Sequence, residues 1–118
     1  ASGADFEIWL EDGRAGYMEV KSRKVKRVQL GAVGDAQAIE LTRLSHWGHL
    51  ALVLVRLVDE WFLIDYRAWT HQKKRSLNRD DLMIQGARCE IDEHGFPMFV
   101  EVIDLCKERA NDYLKSIE

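Results

Sequence analysis

The chain lacks most of what would mark a secreted, zinc-stapled or membrane-bound protein. It has two cysteines, Cys89 and Cys106, too few for a disulfide framework or a cysteine zinc site. Each is therefore read as a small, reduced, buried hydrophobe. His46, His49, His71 and His94 have no zinc-ligand spacing. No Gly-rich phosphate loop and no Ser/His/Asp arrangement appears. No apolar run approaches the roughly 20 residues of a membrane span. No charged-then-apolar secretory segment opens the sequence, so the cytoplasm is the expected compartment. With no internal repeat, low-complexity stretch or linker, one domain over residues 1–118 with a thin core is expected. A strong charge of either sign is also missing. The formal net charge is −3, which argues against a uniformly basic nucleic-acid binder and leaves the distribution of charge as the informative feature.

That distribution is uneven. From Lys21 to Arg27 the chain reads Lys-Ser-Arg-Lys-Val-Lys-Arg, and a second basic stretch holds Arg67, Lys73, Lys74, Arg75 and Arg79 with Trp69 and His71 among them. Many acids, from Glu90 to Glu118, collect toward the C-terminus. A basic footprint on one side of an otherwise acidic surface suits a protein that meets phosphates on that side. The alternative is that such short runs are solvated loops.

The most informative stretch is Gly16-Tyr17-Met18-Glu19-Val20-Lys21. Its alternation predicts a strand with Tyr17, Glu19 and Lys21 on one face and Met18 and Val20 on the other. Ala4 to Leu10 reads as a preceding strand, with Asp5, Glu7 and Trp9 alternating against Phe6, Ile8 and Leu10. The intervening Asp12-Gly13 is a hairpin signal. An acid from the first strand and Glu-x-Lys from the second then converge at one end of a small sheet. Alone, Glu-x-Lys also describes a solvated ion pair on an exposed strand.

In the order of its elements the chain resembles the PD-(D/E)XK nuclease superfamily, most closely its small virus-type replication-repair (VRR-NUC-like) branch. The resemblance runs from about Ser2 to Asp65: Gly3-Ala4-Asp5 opening a strand, Glu19-Val20-Lys21 on the next, a helix with Gln37 near its start, and a Gly-bounded return into an apolar strand. It implies phosphodiester hydrolysis with Mg²⁺ or Mn²⁺ and a viral or mobile-element setting. In that reading Asp5, Glu19, Lys21 and Gln37 form the catalytic set. Asp5, Glu19 and the carbonyl of Val20 hold the metal, Lys21 orients the water or steadies the phosphorus, and Gln37 helps to position the strand or its water. Gln37 is equally read as a first-turn polar residue meeting solvent. Arg23, Lys24, Lys26, Arg27, Lys73, Lys74 and Arg75 are the expected nucleic-acid-binding residues, Arg23 by a bidentate grip on phosphate. Two departures stand out. Ala4 occupies the place of the family's usual proline, and only four residues precede Asp5, where the family has a helix with a further glutamate. Either the sequence begins late, or the C-terminal helix fills that space, or the chain is a minimal member.

The rest of the chain predicts an α/β fold, a small restriction-endonuclease-like core. Residues 22–33 read as a loop. Asp35 is expected to cap a helix from Ala36 to Trp47, with Gln37 and Leu41 on one stripe and Gly48 as its stop. Ala51 to Val58 reads as a central strand buried on both faces, parallel to the Glu19 strand by a right-handed crossover. Trp61 to Tyr66 is the next strand. A short helix capped by Asn78 and stopped by Gly86, a strand over Arg88 to Ile91, a turn at 92–95 and a long amphipathic helix after Pro97 follow.

Three functions fit these residues. The first is a metal-dependent DNA nuclease suited to branched or flapped DNA and dimeric, since so small a domain offers one active site for one strand. The second is a non-catalytic nucleic-acid-binding module of the same fold. The third is a partner-binding domain in which Asp5, Glu19 and Lys21 form a surface salt-bridge cluster.

Overall fold

The computed structural model describes residues 5–118. Ser2, Gly3 and Ala4, part of the expected opening strand, lie outside them. Strands β1 (Phe6–Trp9) and β2 (Ala15–Arg23) form an antiparallel hairpin whose connection turns at Gly13, φ +93°. After helix α1 (Asp35–His46) the chain returns as β4 (Leu50–Leu57), parallel to β2, and β5 (Glu60–Asp65) turns back against it. Between β2 and α1 lie β3 (Arg27–Gln29) and a 3-10 turn at Leu30–Ala32. Helix α2 (Tyr66–Thr70), β6 (Ser76–Asn78), helix α3 (Arg79–Gln85) and β7 (Ala87–Cys89) follow. A 3-10 turn at Phe99–Val102 then leads into helix α4 (Ile103–Ser116).

The main sheet is mixed, in the order β1-β2-β4-β5-β7, and β3 pairs with β6 in a separate two-stranded sheet. This is the α/β architecture the sequence predicts: a mixed sheet with an acidic hairpin, a crossover helix and a long C-terminal helix. Strand β4 is central because seven of its eight residues are apolar and buried; only Arg56 is exposed. Its Val53, Val55 and Leu57 face a core completed by Leu41 of α1, Trp69 of α2, Val28 of β3 and Leu77 of β6. Its Leu52 and Leu54 face Ile103 and Cys106 of α4. The alternation predicted for β2 holds: Tyr17 packs on the first side, Met18 and Val20 on the second. Gly16 permits β2 to start beside Leu50, since a Cβ there would sit 1.8 Å from the Leu50 carbonyl oxygen.

Several boundaries differ from expectation. Residues 22–33 are not a loop. Strand β2 continues to Arg23, and β3 then forms because Val28 and Leu77 meet across the small ladder, both with no exposure. Gly34, not Asp35, precedes α1, and Asp35 makes up its first turn instead. Tyr66 begins α2 rather than ending β5, because the Asp65 side chain accepts from the Arg67 amide 2.8 Å away and starts a helix. The strand expected to reach Ile91 stops at Cys89, with Ile91 bridged singly to Pro97. The Asn78 cap appears in full, as a reciprocal capping box with Asp81.

One turn carries strain. Leu57 pairs with Glu60, so Val58 and Asp59 form a two-residue hairpin connection, and Val58 takes φ +58°. It is the one non-glycine residue among those described with positive φ. This is a conformation two-residue hairpins normally assign to glycine or asparagine, and for a β-branched residue it costs about 1–2 kcal/mol.

Candidate functional site

Glu19 is the largest electrostatic liability of the sheet. Its carboxylate is 1% exposed, on the face of β2 that packs toward α1. Burying a carboxylate costs several kcal/mol unless it is compensated (roughly, after relaxation). Two groups compensate it. Lys21, two residues on and so on the same strand face, places Nζ 2.9 Å from Oε1, and the Asp5 amide donates to Oε2 at 3.2 Å. The Asp5 carboxylate in turn accepts from the Val20 amide at 3.0 Å. This closure follows from register. Phe6 pairs with Met18, so Asp5 is the next residue out on β1 and arrives opposite Glu19. The two carboxylates, the ammonium and the Val20 peptide therefore form one continuous network, as the alternation predicts. A buried ion pair of this kind is weak evidence for stability, since apolar replacements are often neutral.

The donors of this corner are all oxygens: two carboxylates and the carbonyl of Val20, beside a single ammonium. Such a set is right in kind for a hard divalent cation. Among the described residues no group of three or more His, Cys, Asp or Glu side chains is gathered for a metal. Much of the coordination sphere would thus come from water, backbone and substrate oxygens, as Mg²⁺ prefers.

Gln37 stands half-buried at the third position of α1, and that helix packs against β2 and β4. Its Oε1 folds back over Gly34, where a Cβ would lie 2.7 Å away. Gly34 thereby leaves room for the glutamine side chain.

The basic residues divide by location. Arg23 ends β2 two positions beyond Lys21, half-buried, with Nη1 donating to the Ser22 carbonyl at 2.9 Å. Lys24, Lys26 and Arg27 are exposed, as are Lys73, Lys74 and Arg75. The small ladder joins these two runs, which are far apart in sequence. Arg27 Nε donates to Ser76 Oγ at 2.7 Å, and the Leu30 amide donates to the Arg75 carbonyl at 2.9 Å. Lys74 is held by Asp81 at 2.6 Å, which lowers the Asp81 pKa even against its burial.

Sequence reasoning missed a second polar cluster. Asp65, 3% exposed at the end of β5, accepts from Arg67 Nε and Nη2, both at 3.1 Å, and has Lys107 Nζ 3.7 Å away. Arg67 continues to Asn111 of α4 at 2.8 Å. The alternation of Trp61 to Tyr66 gives no warning of it. The spacing Asp65-x-Arg67 was the available signal, but only α4 completes the cluster. Cys89 and Cys106 are both buried, as expected of small hydrophobes, and burial pushes both thiols up to about 12.

No protein-family model matches the sequence, and no curated protein sequence matches it. Among solved structures the chain is similar to that of Hjc, a Holliday junction resolvase from Archaeoglobus fulgidus, with a TM-score of 0.46 at 18% identity. The alignment covers 64% of this chain and 61% of that one, so the chain spans less than two thirds of the length of the structure it matches. Among the described residues no helix is long and apolar enough to cross a membrane.

Proposed function

We propose that the chain is a metal-dependent nuclease that hydrolyses phosphodiester bonds in DNA, with branched or flapped DNA as its substrate class. The observation that carries this reading is the convergence of Asp5, Glu19 and Lys21 in one hydrogen-bonded corner, in the order and spacing of the PD-(D/E)XK pattern.

Mg²⁺ or Mn²⁺, held by Asp5, Glu19 and the Val20 carbonyl, would supply an acidified water and neutralise charge on the scissile phosphate. Asp5 acts as a ligand, because a carboxylate that holds a dication is a poor proton acceptor. Lys21, on a flexible four-carbon stem and already drawn to 2.9 Å from Glu19, orients the attacking water and offsets charge on the phosphate oxygens. Gln37, in the first turn of the helix that packs on β2, would act by positioning the catalytic strand. Arg23 follows Lys21 on the same strand face and grips the adjoining phosphate. The exposed cations of the two basic runs supply the sequence-independent part of the affinity. One chain carries one such corner, so cutting both strands of a branch calls for two copies, a homodimer acting in the cytoplasm.

The test is calorimetric titration of Mn²⁺ into the wild type and Glu19→Gln, with plasmid and branched-DNA cleavage on the same samples. Metal binding and cleavage in the wild type, both lost in Glu19→Gln, are expected. Salt-dependent DNA binding without metal uptake or cleavage would instead make the chain a non-catalytic nucleic-acid-binding module. Absence of DNA binding altogether would overturn both.

A further inference from the structure

The strained turn between β4 and β5 adjoins the candidate site. The Val58 amide donates to the Arg23 carbonyl at 2.9 Å, and Arg23 pairs with Leu57 in the parallel ladder. Arg23 lies four residues along β2 from Glu19, about 13 Å at ~3.3 Å per residue. Val58 thus stands at the end of the strand that carries Glu19 and Lys21.

Its surroundings are unusual for an exposed apolar side chain. Val58 is 44% exposed and lines a cleft of about 270 Å³ with Ser22, Arg23, Lys24, Arg56 and Asp59. Three cations face one acid there. Arg56 is already oriented: its guanidinium lies 5.9 Å from the Trp61 ring centroid, and Nη2 is 3.9 Å from Asp59. On the other side of Val58, Lys26 and Arg79 line a second cleft whose charge is balanced by Glu60 and Asp80. Excess positive charge is therefore confined to the Arg23 side. A β-branched residue held at φ +58° where glycine would relieve the backbone keeps a rigid apolar tip beside a positively charged cleft. Such placements of strain cluster where they serve binding or chemistry.

Resting on the nuclease reading above, we infer that this turn is a wedge for branched DNA. Val58 packs against a base unstacked at the branch, and the Arg23–Lys24–Arg56 cleft holds the phosphate next to it. Apolar side chains that enter a base step act in this way and favour steps that are already unpaired. The wedge would set the branch point at a fixed distance from Glu19, which makes Val58 and Arg56 determinants of substrate structure and not of hydrolysis.

The experiment uses a three-way DNA junction with 2-aminopurine at the branch and a uniform duplex of equal length, both titrated in EDTA to prevent cleavage. Wild type and Val58→Gly are compared. Glycine relieves the backbone, so the variant folds and melts at a higher temperature whether or not the turn touches DNA. The expected result is a several-fold rise in 2-aminopurine fluorescence with wild type that is lost in Val58→Gly. Junction affinity should weaken about tenfold with duplex affinity unchanged. Equal fluorescence and affinity for the two proteins would overturn the wedge and leave the nuclease reading standing. Failure of the wild type to bind either DNA would overturn that reading, and the wedge with it.

Discussion

Glu19 and Asp65 are both carboxylates buried to within a few per cent, each with a lysine in reach and a neighbouring main-chain amide donating to it. On the proposed reading they do different things, because the charge around them differs. Beside Glu19 stand a second carboxylate, Asp5, and one ammonium, so the corner is short of positive charge. Beside Asp65 stand Arg67 and Lys107, and the cluster has one cation to spare. The first arrangement invites a cation. The second is complete in itself and joins α2 to α4 through Arg67 and Asn111. A buried acid paired with a base is weak evidence of function until the charges beside it are counted.

Substitutions of the two acids should separate sharply. On the proposed reading, Glu19→Gln lowers the rate of DNA cleavage about a thousandfold or more and also lowers urea-unfolding stability by about 2 kcal/mol, since Lys21, only 21% exposed, loses its partner. Lys21→Ala is expected to cost about a hundredfold in cleavage rate. Mn²⁺ affinity should hold or rise, because a repelling charge is gone, and weaker Mn²⁺ binding would show that Lys21 organises the ligands instead. Asp65→Asn is expected to cost stability alone. The charge that anchors Arg67 and Lys107 is lost, and stability falls by about 2 kcal/mol, discounted from the usual cost of breaking a buried pair because both cations are about one-third exposed. Cleavage per folded molecule should stay at the wild-type rate, and a specific loss there would make Asp65 part of the active surface.

The smallest effect is a pH dependence seated in one core cluster, which holds both cysteines. Cys89 and Cys106 have folded pKa values raised from 9.0 to about 12 by burial. The folded state therefore holds their protons where the unfolded chain releases them. Their stabilisation is complete below pH 9.0 and is lost as pH rises toward about 12. Chemical denaturation of wild type and a Cys89→Ala, Cys106→Ala double variant at stepped alkaline pH should give a shallower decline for the variant. Parallel curves would mean that the thiols are not coupled to folding.

The elements that could be read from the sequence are those whose signal is local. The Asp12-Gly13 hairpin, the apolar run of β4, the capping box at Asn78 and the apolar stripe of α4 each state their own structure. Asp5, Glu19 and Lys21 were legible because strand alternation and hairpin register together fix where they meet. Strands β3 and β6 were not, since each has three residues and a single buried apolar side chain, Val28 or Leu77, and neither has a period to detect. Val58 was hidden for a related reason. Its conformation is imposed by the pairing of Leu57 with Glu60, and the residue itself gives no turn signal.

The β3–β6 ladder has one more consequence. Ser76 and Arg27, 49 residues apart, are brought into contact by it, and with them the two stretches that hold most of the expected phosphate contacts. Each stretch alone is a weak polyelectrolyte. On the proposed reading, once the two are tied together the second would engage a nucleic-acid strand already captured by the first, at the high effective concentration of an intramolecular partner. On that reading, avidity for a polyanion rests on one pair of buried side chains, Val28 against Leu77, neither of which carries any charge.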